Sequence, residues 1–360
     1  MTGADGDAAT GNQPDLAEAL PLDRLAAFLA DHLGPSPGPP RVLGRPLGGA
    51  SNITVVLQWG ERRLVLRRPP LGQLLPTSHD VLREFRYLSA LAGTAVPVPR
   101  VVAACQDASL IGAPFYVMEY VEGVTFGSGR LPPRLDTPAQ RRRIGQELIR
   151  GLAALHRLPW QELGLSGRPE SYLQRQLQRW QQQLALSQTR PLPGLDRVTR
   201  WLERNLPTSA AASIVHGDYG LHNVIFSAQP PARLLAVLDW EMSTIGDPLA
   251  DLGWLLRDWG VVPEKGIRNP AKALSALPGS PTKEEMAQLY QRQSGVAVAL
   301  LPYYEVFAMW KEVIIAEGLY ASFLAGTAAN PAVERFRTQV PEQVERILER
   351  LASLEGRGVP

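Results

Sequence analysis

Three residues in the second half of the chain have the types and spacing that phosphoryl transfer requires. The segment His216-Gly217-Asp218-Tyr219-Gly220-Leu221-His222-Asn223 places an acid five positions before an amide, and another acid, Asp239, follows a β-like apolar run. Phosphoryl transfer needs an acid that accepts or orients the acceptor hydroxyl, and oxygen ligands that hold Mg²⁺ against the phosphates. Asp218 is therefore the candidate base, and Asn223 and Asp239 are the candidate metal ligands. Alone, such an acid and amide could also belong to a capped turn.

Short β-like runs surround these residues in a region that is otherwise helical. The runs IV, NVIF and LLAVL lie between Ser213 and Trp240, whereas long helical periodicity begins at Thr137. Downstream, Asp247 is a good N-cap and Pro248 a good first helical residue, which predicts a helix over Leu249–Leu256.

The N-terminal half is predicted to be rich in β-structure. The runs ITVVLQW (Ile53–Trp59) and RLVLR (Arg63–Arg67) are separated by a short glycine-containing connection, which indicates a hairpin. The run VLREFRYLSAL has helical periodicity, and Glu84 on its apolar face requires a cation partner to offset its desolvation. A strand, FYVMEYV (Phe115–Val121), follows.

The HGD…N loop with its following strand and acid resembles the signature of the aminoglycoside-phosphotransferase-like, or kinase-like, superfamily. The likeness extends from about Leu43 to Leu351. The segments VLRRPP, VPVPRVV, GAPFYVMEYVEG, RQLQRW and LDWEMSTIGDPLADLGWLL further resemble the branch that in some eukaryotes is fused to an acyl-CoA dehydrogenase. This resemblance implies an α+β, bilobal protein-kinase-like fold with a small β-rich N-lobe and a larger, mainly helical C-lobe. It also implies an ATP-dependent phosphotransferase that uses Mg²⁺ and a hydroxylated small molecule.

The same resemblance assigns nucleotide contacts to the N-terminal half. A glycine-containing loop would cover the phosphates, an arginine and a glutamate match the lysine–glutamate pair of protein kinases, and a hinge at Met118 to Val121 would pair with adenine. The implied cofactor-binding residues are Gly48, Gly49, Ser51, Asn52, Arg67, Glu84, Glu119 and Val121.

Two features depart from the family pattern. Arg67 stands where protein kinases have a lysine, and an arginine holds phosphate through a differently shaped, bidentate fork. The loop of this branch commonly reads HGDYRLDN, whereas this chain has Gly220 and His222, a change that could alter substrate preference or phosphate contacts. We interpret His222 as a solvent-facing or capping residue rather than a metal or substrate contact, and His156 as a core histidine. Asp251, by resemblance, supports the catalytic loop through hydrogen bonds.

Composition excludes several other classes of protein. The 360 residues are 45% hydrophobic and 20% charged, and the net charge of +2 provides no field that would attract nucleic acid or anionic lipid. The only cysteine, Cys105, excludes an internal disulfide and a cysteine-rich zinc site. The start of the chain lacks a secretory pattern, and charged residues interrupt the apolar stretch Val296–Ala325. We therefore expect a cytosolic protein with no nucleic-acid or membrane partner.

The length of the chain favours two domains or lobes, since single cores stop growing near roughly 250 to 300 residues. The expected division is a flexible tail at 1–15, an N-terminal helix and nucleotide-binding lobe at 16–120, and a catalytic and acceptor-binding lobe at 121–355. An amphipathic helix is predicted over Leu16–Leu33 within the first lobe.

The sequence leaves several alternatives for the molecule that accepts the phosphoryl group. The family branch implies a hydroxyacyl-CoA, and the arginines near residue 65 could contact its acidic tail, although a solvated strand edge is favoured for Arg62 and Arg63. The aromatic run LLPYYEVFAMW fits an acyl-binding wall or simple core packing. The alternatives are a kinase of aminoglycosides, other antibiotics or amino alcohols, and a non-catalytic kinase-like module that binds nucleotide.

Overall fold

The computed structural model describes residues 20–36, 38–44, 52–70, 80–209, 211–261, 266–267, 269–327 and 330–356. It divides into two compact units. The first comprises the described residues up to Phe85 together with Val101–Tyr120, and the second comprises Arg86–Arg100 and the described residues from Val121 onward.

The first unit is built on a five-stranded antiparallel sheet with the strand order β1-β2-β3-β5-β4. One helix, α1, comes before the sheet in sequence, and another, α2, follows β3 and belongs to this unit up to Phe85. The bounds are α1 Leu22–Leu33, β1 Arg41–Gly44, β2 Ile53–Trp59, β3 Arg62–Arg68, α2 Val81–Leu91, β4 Val101–Cys105 and β5 Phe115–Glu119.

The predicted hairpin is confirmed as β2 and β3, which pair in register from Ile53–Arg68 to Trp59–Arg62. Alternate residues of both strands point to one face, where they form a buried cluster with α1 and β5. The members from these elements are Leu25, Leu29, Val55, Leu57, Trp59, Leu64, Leu66, Phe115 and Val117, and Leu20 and Ile111 complete the cluster.

Three details of this unit differ from the sequence predictions. Within the described residues the first helix begins at Leu22, directly after Pro21, which has no N–H; the part of the predicted helix at 16–19 lies outside the described residues. Strand β5 ends at Glu119, two residues early. Arg62 and Arg63 are exposed, but β3 lies between β2 and β5, so the predicted strand edge is wrong.

The second unit is mainly helical. Its helices after the first unit's last strand are α3 Pro138–His156, α4 Tyr172–Ser187, α5 Leu195–Arg204, α6 Leu249–Leu256, α7 Pro270–Ala273, α8 Lys283–Ser294, α9 Leu301–Leu324 and α10 Phe336–Glu355. Helix α9 is central, since α4, α5, α6 and α10 all contact it.

Helix α9 carries charged residues into the core, where each has a partner. Glu305, Glu312 and Glu317 are all buried. Their carboxylates accept from basic side chains on other segments, for example Arg190 on Glu317 and Arg350 on Glu305. Buried charges need such partners because desolvation would otherwise be prohibitive. None of the helices in the described ranges combines the length and apolarity needed to cross a membrane.

Two short β-pairs interrupt the helices and hold the segment that carries the candidate catalytic residues. Strand β6 (Ser213–Val215) pairs with β9 (Thr244–Gly246), and β7 (Val224–Phe226) pairs with β8 (Leu234–Val237), both antiparallel. The α+β class predicted from the sequence is thus confirmed.

Candidate active site

The loop from His216 to Asn223 connects β6 to β7 and ends in a 3-10 turn over Leu221–Asn223. Because both flanking strands are paired within this unit, the two ends of the loop are fixed. Within it, Gly217 has a φ of 87°, a left-handed conformation that a glycine adopts at no steric cost.

Asp251, on the first turn of α6, fixes the backbone of this loop. Its fully buried carboxylate accepts the backbone N–H of His216 at 2.6 Å and that of Gly217 at 2.7 Å. The ring of His156 completes the set, with Nε2 3.3 Å from the same carboxylate and Nδ1 2.6 Å from the hydroxyl of Tyr290. The supporting role predicted for Asp251 and the core position predicted for His156 are both confirmed.

The carboxylate of Asp251 is held in its ionised form. Burial raises its pKa, but the hydrogen bond and charge of His156 and the contacts from His216 outweigh burial and lower the pKa below its usual value. An ionised carboxylate only accepts hydrogen bonds, so it suits the two backbone donors.

Asp218, the candidate base, is surrounded by donors. Its Oδ1 accepts from Nε1 of Trp254 at 2.8 Å and lies 3.1 Å from Nε2 of His222, while its Oδ2 accepts from Nδ2 of Asn223 at 2.8 Å. A carboxylate offers about four acceptor positions, two on each oxygen. Among the described residues these three contacts leave one position, on Oδ2.

The pKa of Asp218 lies well below its usual range. Burial raises the pKa, but the neighbouring charge and hydrogen bond of His222 and the charges of His216 and Lys311 lower it by more. Asp218 is therefore ionised at neutral pH.

Asn223 lies beside Asp218. One further backbone hydrogen bond beyond the β7–β8 pair joins Asn223 to Leu238, the residue before Asp239. The backbone N–H of Leu238 donates to the carbonyl of Asn223 at 2.8 Å, and the carbonyl of Leu238 lies 2.8 Å from Nε2 of His216. Asp239 comes next, in a left-handed conformation with a φ of 65°. Such outliers outside glycine cluster at functional sites.

The oxygens of Asn223 and Asp239 suit Mg²⁺. Since the amide nitrogen of Asn223 faces the ionised Asp218, its oxygen Oδ1 is directed away from that carboxylate. Mg²⁺ is held in nucleotide-dependent enzymes by one or two carboxylates together with substrate phosphates, not by an all-protein cage. No group of three or more His, Cys, Asp or Glu residues in the described ranges could hold a metal ion.

The side chain of His222 is 26% exposed, so the predicted solvent-facing position holds in part. Its contact with the candidate base was not predicted: Nε2 lies 3.1 Å from Oδ1 of Asp218. Asp218 and His222 are four residues apart, but their side chains meet only because of the way the loop folds. The sequence alone does not show that fold.

Two residues that contact the catalytic loop, Trp254 and Lys311, were not identified from the sequence. Lys311, on α9, donates from Nζ to the carbonyl of Gly217 at 2.7 Å, and the same ammonium lies 4.5 Å from the ring centroid of Trp254. Burial lowers the pKa of Lys311 to about 8, although Asp218 and Asp251 act in the opposite direction. The signal available in the sequence was a lysine within the long, mostly apolar run of α9, since lysine is almost never buried without a partner.

A small, partly open pocket with a cavity volume of about 20 Å³ lies beside the loop. Gly220 and His222 line one side, and Trp254, Arg257 and Lys272 line the other. No carboxylate is among the described residues that line it.

In the first unit, Arg67 of β3 and Glu84 of α2 form the predicted pair. Arg67 Nη1 lies 3.2 Å from Glu84 Oε1, and both side chains are nearly buried. Glu84 therefore has the cation partner that its apolar surroundings require. Arg68 is buried as well, whereas Arg62 and Arg63 are exposed, so the four arginines of β3 do not share one surface.

The other predicted nucleotide contacts are distributed along the chain. Asn52 is buried just before β2, Glu119 is the last residue of β5 opposite Leu64, and Val121 follows two residues later. Gly48, Gly49 and Ser51 lie outside the described residues.

The aromatic residues of the run LLPYYEVFAMW are core residues. Tyr303, Tyr304, Phe307 and Trp310 are all buried. Of the two interpretations left open, their burial favours core packing over an acyl-binding wall.

Comparison with known proteins identifies the family. The family model described as "Phosphotransferase enzyme family" matches residues 42–289. Acyl-CoA dehydrogenase family member 10 of Mus musculus is 35% identical over 324 residues, which cover 88% of this chain and 30% of that protein. Acyl-CoA dehydrogenase family member 11 of Homo sapiens is 36% identical over 338 residues, which cover 89% of this chain and 42% of that protein. The chain thus spans less than half the length of these relatives.

A solved structure gives the fold. The crystal structure of a Ralstonia eutropha protein provisionally assigned as an aminoglycoside phosphotransferase matches with a TM-score of 0.79 and 33% identity, over 93% of this chain and 99% of that one. The resemblance and the kinase-like fold inferred from the sequence are therefore confirmed, and the chain belongs to the phosphotransferase enzyme family.

Proposed function

We propose that this protein transfers the γ-phosphoryl group of Mg-ATP to a hydroxyl group of a small molecule, and that the acceptor is of the hydroxyacyl-CoA class. The observation that carries this proposal is the arrangement around Asp218. The carboxylate is ionised, three donors hold it in place, and one acceptor position on Oδ2 is left for a substrate hydroxyl.

In the proposed reaction, Asp218 orients the acceptor hydroxyl and takes its proton. The acceptor oxygen attacks the γ-phosphorus, the bond from that phosphorus to the bridging oxygen breaks, and ADP leaves with the bond's electron pair. Because its pKa is low, Asp218 is a weak base, so proton transfer follows most of the bond breaking. This order fits a loose transition state, in which positioning contributes more than proton abstraction.

The other residues keep the machinery in place. Asp251 and Lys311 fix the peptide groups that precede Asp218, the first by accepting backbone N–H groups and the second by donating to the carbonyl of Gly217. Asn223 Oδ1 and the Asp239 carboxylate are proposed to hold Mg²⁺, which would neutralise the phosphate charge.

We assign the nucleotide contacts to the residues implied by the family. The Arg67 guanidinium, oriented by Glu84, would bind phosphate oxygens. The loop residues Gly48, Gly49, Ser51 and Asn52 would cover the phosphates, and the backbone of Glu119 and Val121 would contact adenine.

The pocket beside the loop supports an anionic acceptor. His222, Arg257 and Lys272 line it, and no described carboxylate does. Behind the pocket, three cations (Arg257, Lys272 and Arg346) share two carboxylates, Asp258 and Glu312. The charge of Asp218 also acts on Arg257. A polycationic aminoglycoside would meet like charge there, whereas a hydroxylated anion would meet complementary charge.

A mass-spectrometric screen tests this function. Pools of hydroxyacyl-CoAs, aminoglycosides, macrolides and amino alcohols are incubated with Mg-ATP and either the unmodified protein or Asp218→Asn. The proposal predicts that a hydroxyacyl-CoA gains a phosphoryl group only with the unmodified protein. Phosphorylation of a cationic pool instead would overturn the acceptor class. No phosphorylation with stabilisation by Mg-ATP would favour a non-catalytic module that binds nucleotide, and no phosphorylation without stabilisation would favour a purely structural module.

A further inference from the structure

Gly220 and His222 are in contact across the turn of the candidate catalytic loop. A Cβ atom added to Gly220 would lie 2.9 Å from Cε1 and 3.0 Å from Nδ1 of His222. Contacts this short are not tolerated, so one group would have to move. The ring, at the end of a side chain that is partly exposed, is the group that can move.

The need for glycine at this position is one of space and not of backbone conformation. Gly220 has a φ of 179° and a ψ of 176°, an extended conformation that any residue can adopt. The imidazole of His222 is the group within 4 Å of its missing Cβ. Gly220 therefore provides the space that the imidazole occupies.

The His222 side chain contacts Asp218 and also lines the pocket. Its Nε2 lies 3.1 Å from Oδ1 of Asp218, and because an ionised carboxylate only accepts, Nε2 carries a hydrogen. The same side chain lines the pocket together with Gly220, Trp254 and Lys272. His222 thus connects the candidate base directly to the wall of the pocket.

We propose that Gly220 and His222 form one positioning unit for phosphotransfer, in which Gly220 makes room for an imidazole that orients Asp218 and shapes the acceptor pocket. With Trp254, His222 occupies both acceptor positions of Oδ1, so that only Oδ2 can receive the substrate hydroxyl. The proposal deepens the proposed function, on which its kinetic part rests.

The first test is spectroscopic and does not depend on activity. The protein has five histidines, so ¹⁵N-histidine labelling gives few ring signals, and those of His222 are identified by their loss in His222→Gln. The unmodified protein should show a hydrogen-bonded Nε2–H for His222, and Gly220→Ala should shift or abolish that signal. Gly127→Ala is the matched control, because Gly127 is exposed and has no atom within 4 Å of its missing Cβ. An unchanged His222 signal in Gly220→Ala would overturn the proposal.

The second test is a double-mutant cycle on turnover with Mg-ATP and the acceptor that the screen identifies, or with water as acceptor if none is found. Gly220→Ala and His222→Ala should each lower kcat by about 10- to 100-fold through misplacement of Asp218, with little change in KM for ATP. Gly220→Ala should have no further effect in the His222→Ala background. His222→Gln, which keeps a donor, should recover much of the rate.

The two tests separate failure of this proposal from failure of the proposed function. If Gly220→Ala costs the same factor whether or not His222 is present, the two residues act independently and the positioning unit is refuted. If turnover is absent in every variant while the ring signal moves as expected, the contact is real, the kinetic part of the proposal is overturned and the kinase function is in error.

Discussion

Trp254 donates its indole N–H to Oδ1 of Asp218 at 2.8 Å, and it does so from the same helix that carries Asp251. The two residues are three positions apart on α6 and therefore lie on neighbouring points of one helix face. One residue holds the backbone before the candidate base, and the other holds the base itself. Helix α6 is thus a rigid template for the loop.

Replacing Asp251 with asparagine should destabilise the protein strongly. The asparagine would keep one acceptor oxygen but present its NH2 group, a donor, in place of the other, so one of the backbone N–H groups of His216 and Gly217 would lose its acceptor inside the core. We expect the free energy of unfolding to fall by about 3 kcal/mol, as for other broken buried networks. Urea denaturation measures this change. Asp196→Asn, which affects an exposed pair with Arg200, is the control and should change little. Equal stability of Asp251→Asn and the unmodified protein would contradict the template role.

Much of this site could be predicted from the sequence because several of its residues are close together along the chain. An acid and an amide five residues apart, and a helix N-terminus at Asp247, can be read from spacing and residue type. The partner of Glu84 could be anticipated because a carboxylate on an apolar face requires one. The contacts of Trp254 and His222 could not be derived in this way, since a tryptophan in an apolar helix fits core packing and the position of a loop histidine depends on tertiary structure.

The pH dependence of stability should reveal the burial of Lys311. Its pKa is about 8 in the folded protein against an ordinary value of 10.5. Between these values the unfolded state binds more protons, so the free energy of unfolding should rise with pH. Well below pH 8 the lysine is charged in both states and adds no slope.

Lys311→Met removes this contribution and serves as the reference. The stability of the unmodified protein relative to Lys311→Met should increase by about 1 to 3 kcal/mol between pH 8 and pH 10. Chemical denaturation at a series of pH values measures the difference. A difference that stays constant with pH would show that Lys311 titrates as an exposed lysine does.

Asp239 should be needed for Mg²⁺-dependent nucleotide binding, whereas Asp218 should not. A ligand at 100 times its Kd stabilises the folded state by about 2.7 kcal/mol. We therefore expect Mg-ATP to raise the Tm of the unmodified protein and of Asp218→Asn, and to raise that of Asp239→Ala much less. Thermal unfolding with ATP and either Mg²⁺ or EDTA makes the comparison. An equal shift for Asp239→Ala would remove Asp239 from the metal site.

The Arg67–Glu84 pair separates stability from nucleotide binding. Glu84→Gln leaves the Arg67 cation buried without its carboxylate and should cost about 3 kcal/mol. The double change Arg67→Met with Glu84→Met should regain most of that stability, because apolar replacements of buried ion pairs are often neutral.

The same double variant should bind Mg-ATP at least about 10-fold more weakly, since the phosphate-binding guanidinium is gone. Isothermal titration calorimetry measures this affinity. Unchanged affinity in a stable double variant would mean that Arg67 does not contact the nucleotide and that the pair is only structural.

The most direct measurement is the turnover of Asp218→Asn with Mg-ATP and the phosphorylated acceptor class, followed by mass spectrometry of the product. The asparagine keeps the size of the side chain but removes the carboxylate that orients the hydroxyl and accepts its proton. We predict that kcat falls by about 10²- to 10⁴-fold while the affinity for Mg-ATP is kept. A variant that phosphorylates the acceptor as fast as the unmodified protein would contradict the assignment of Asp218 as the base.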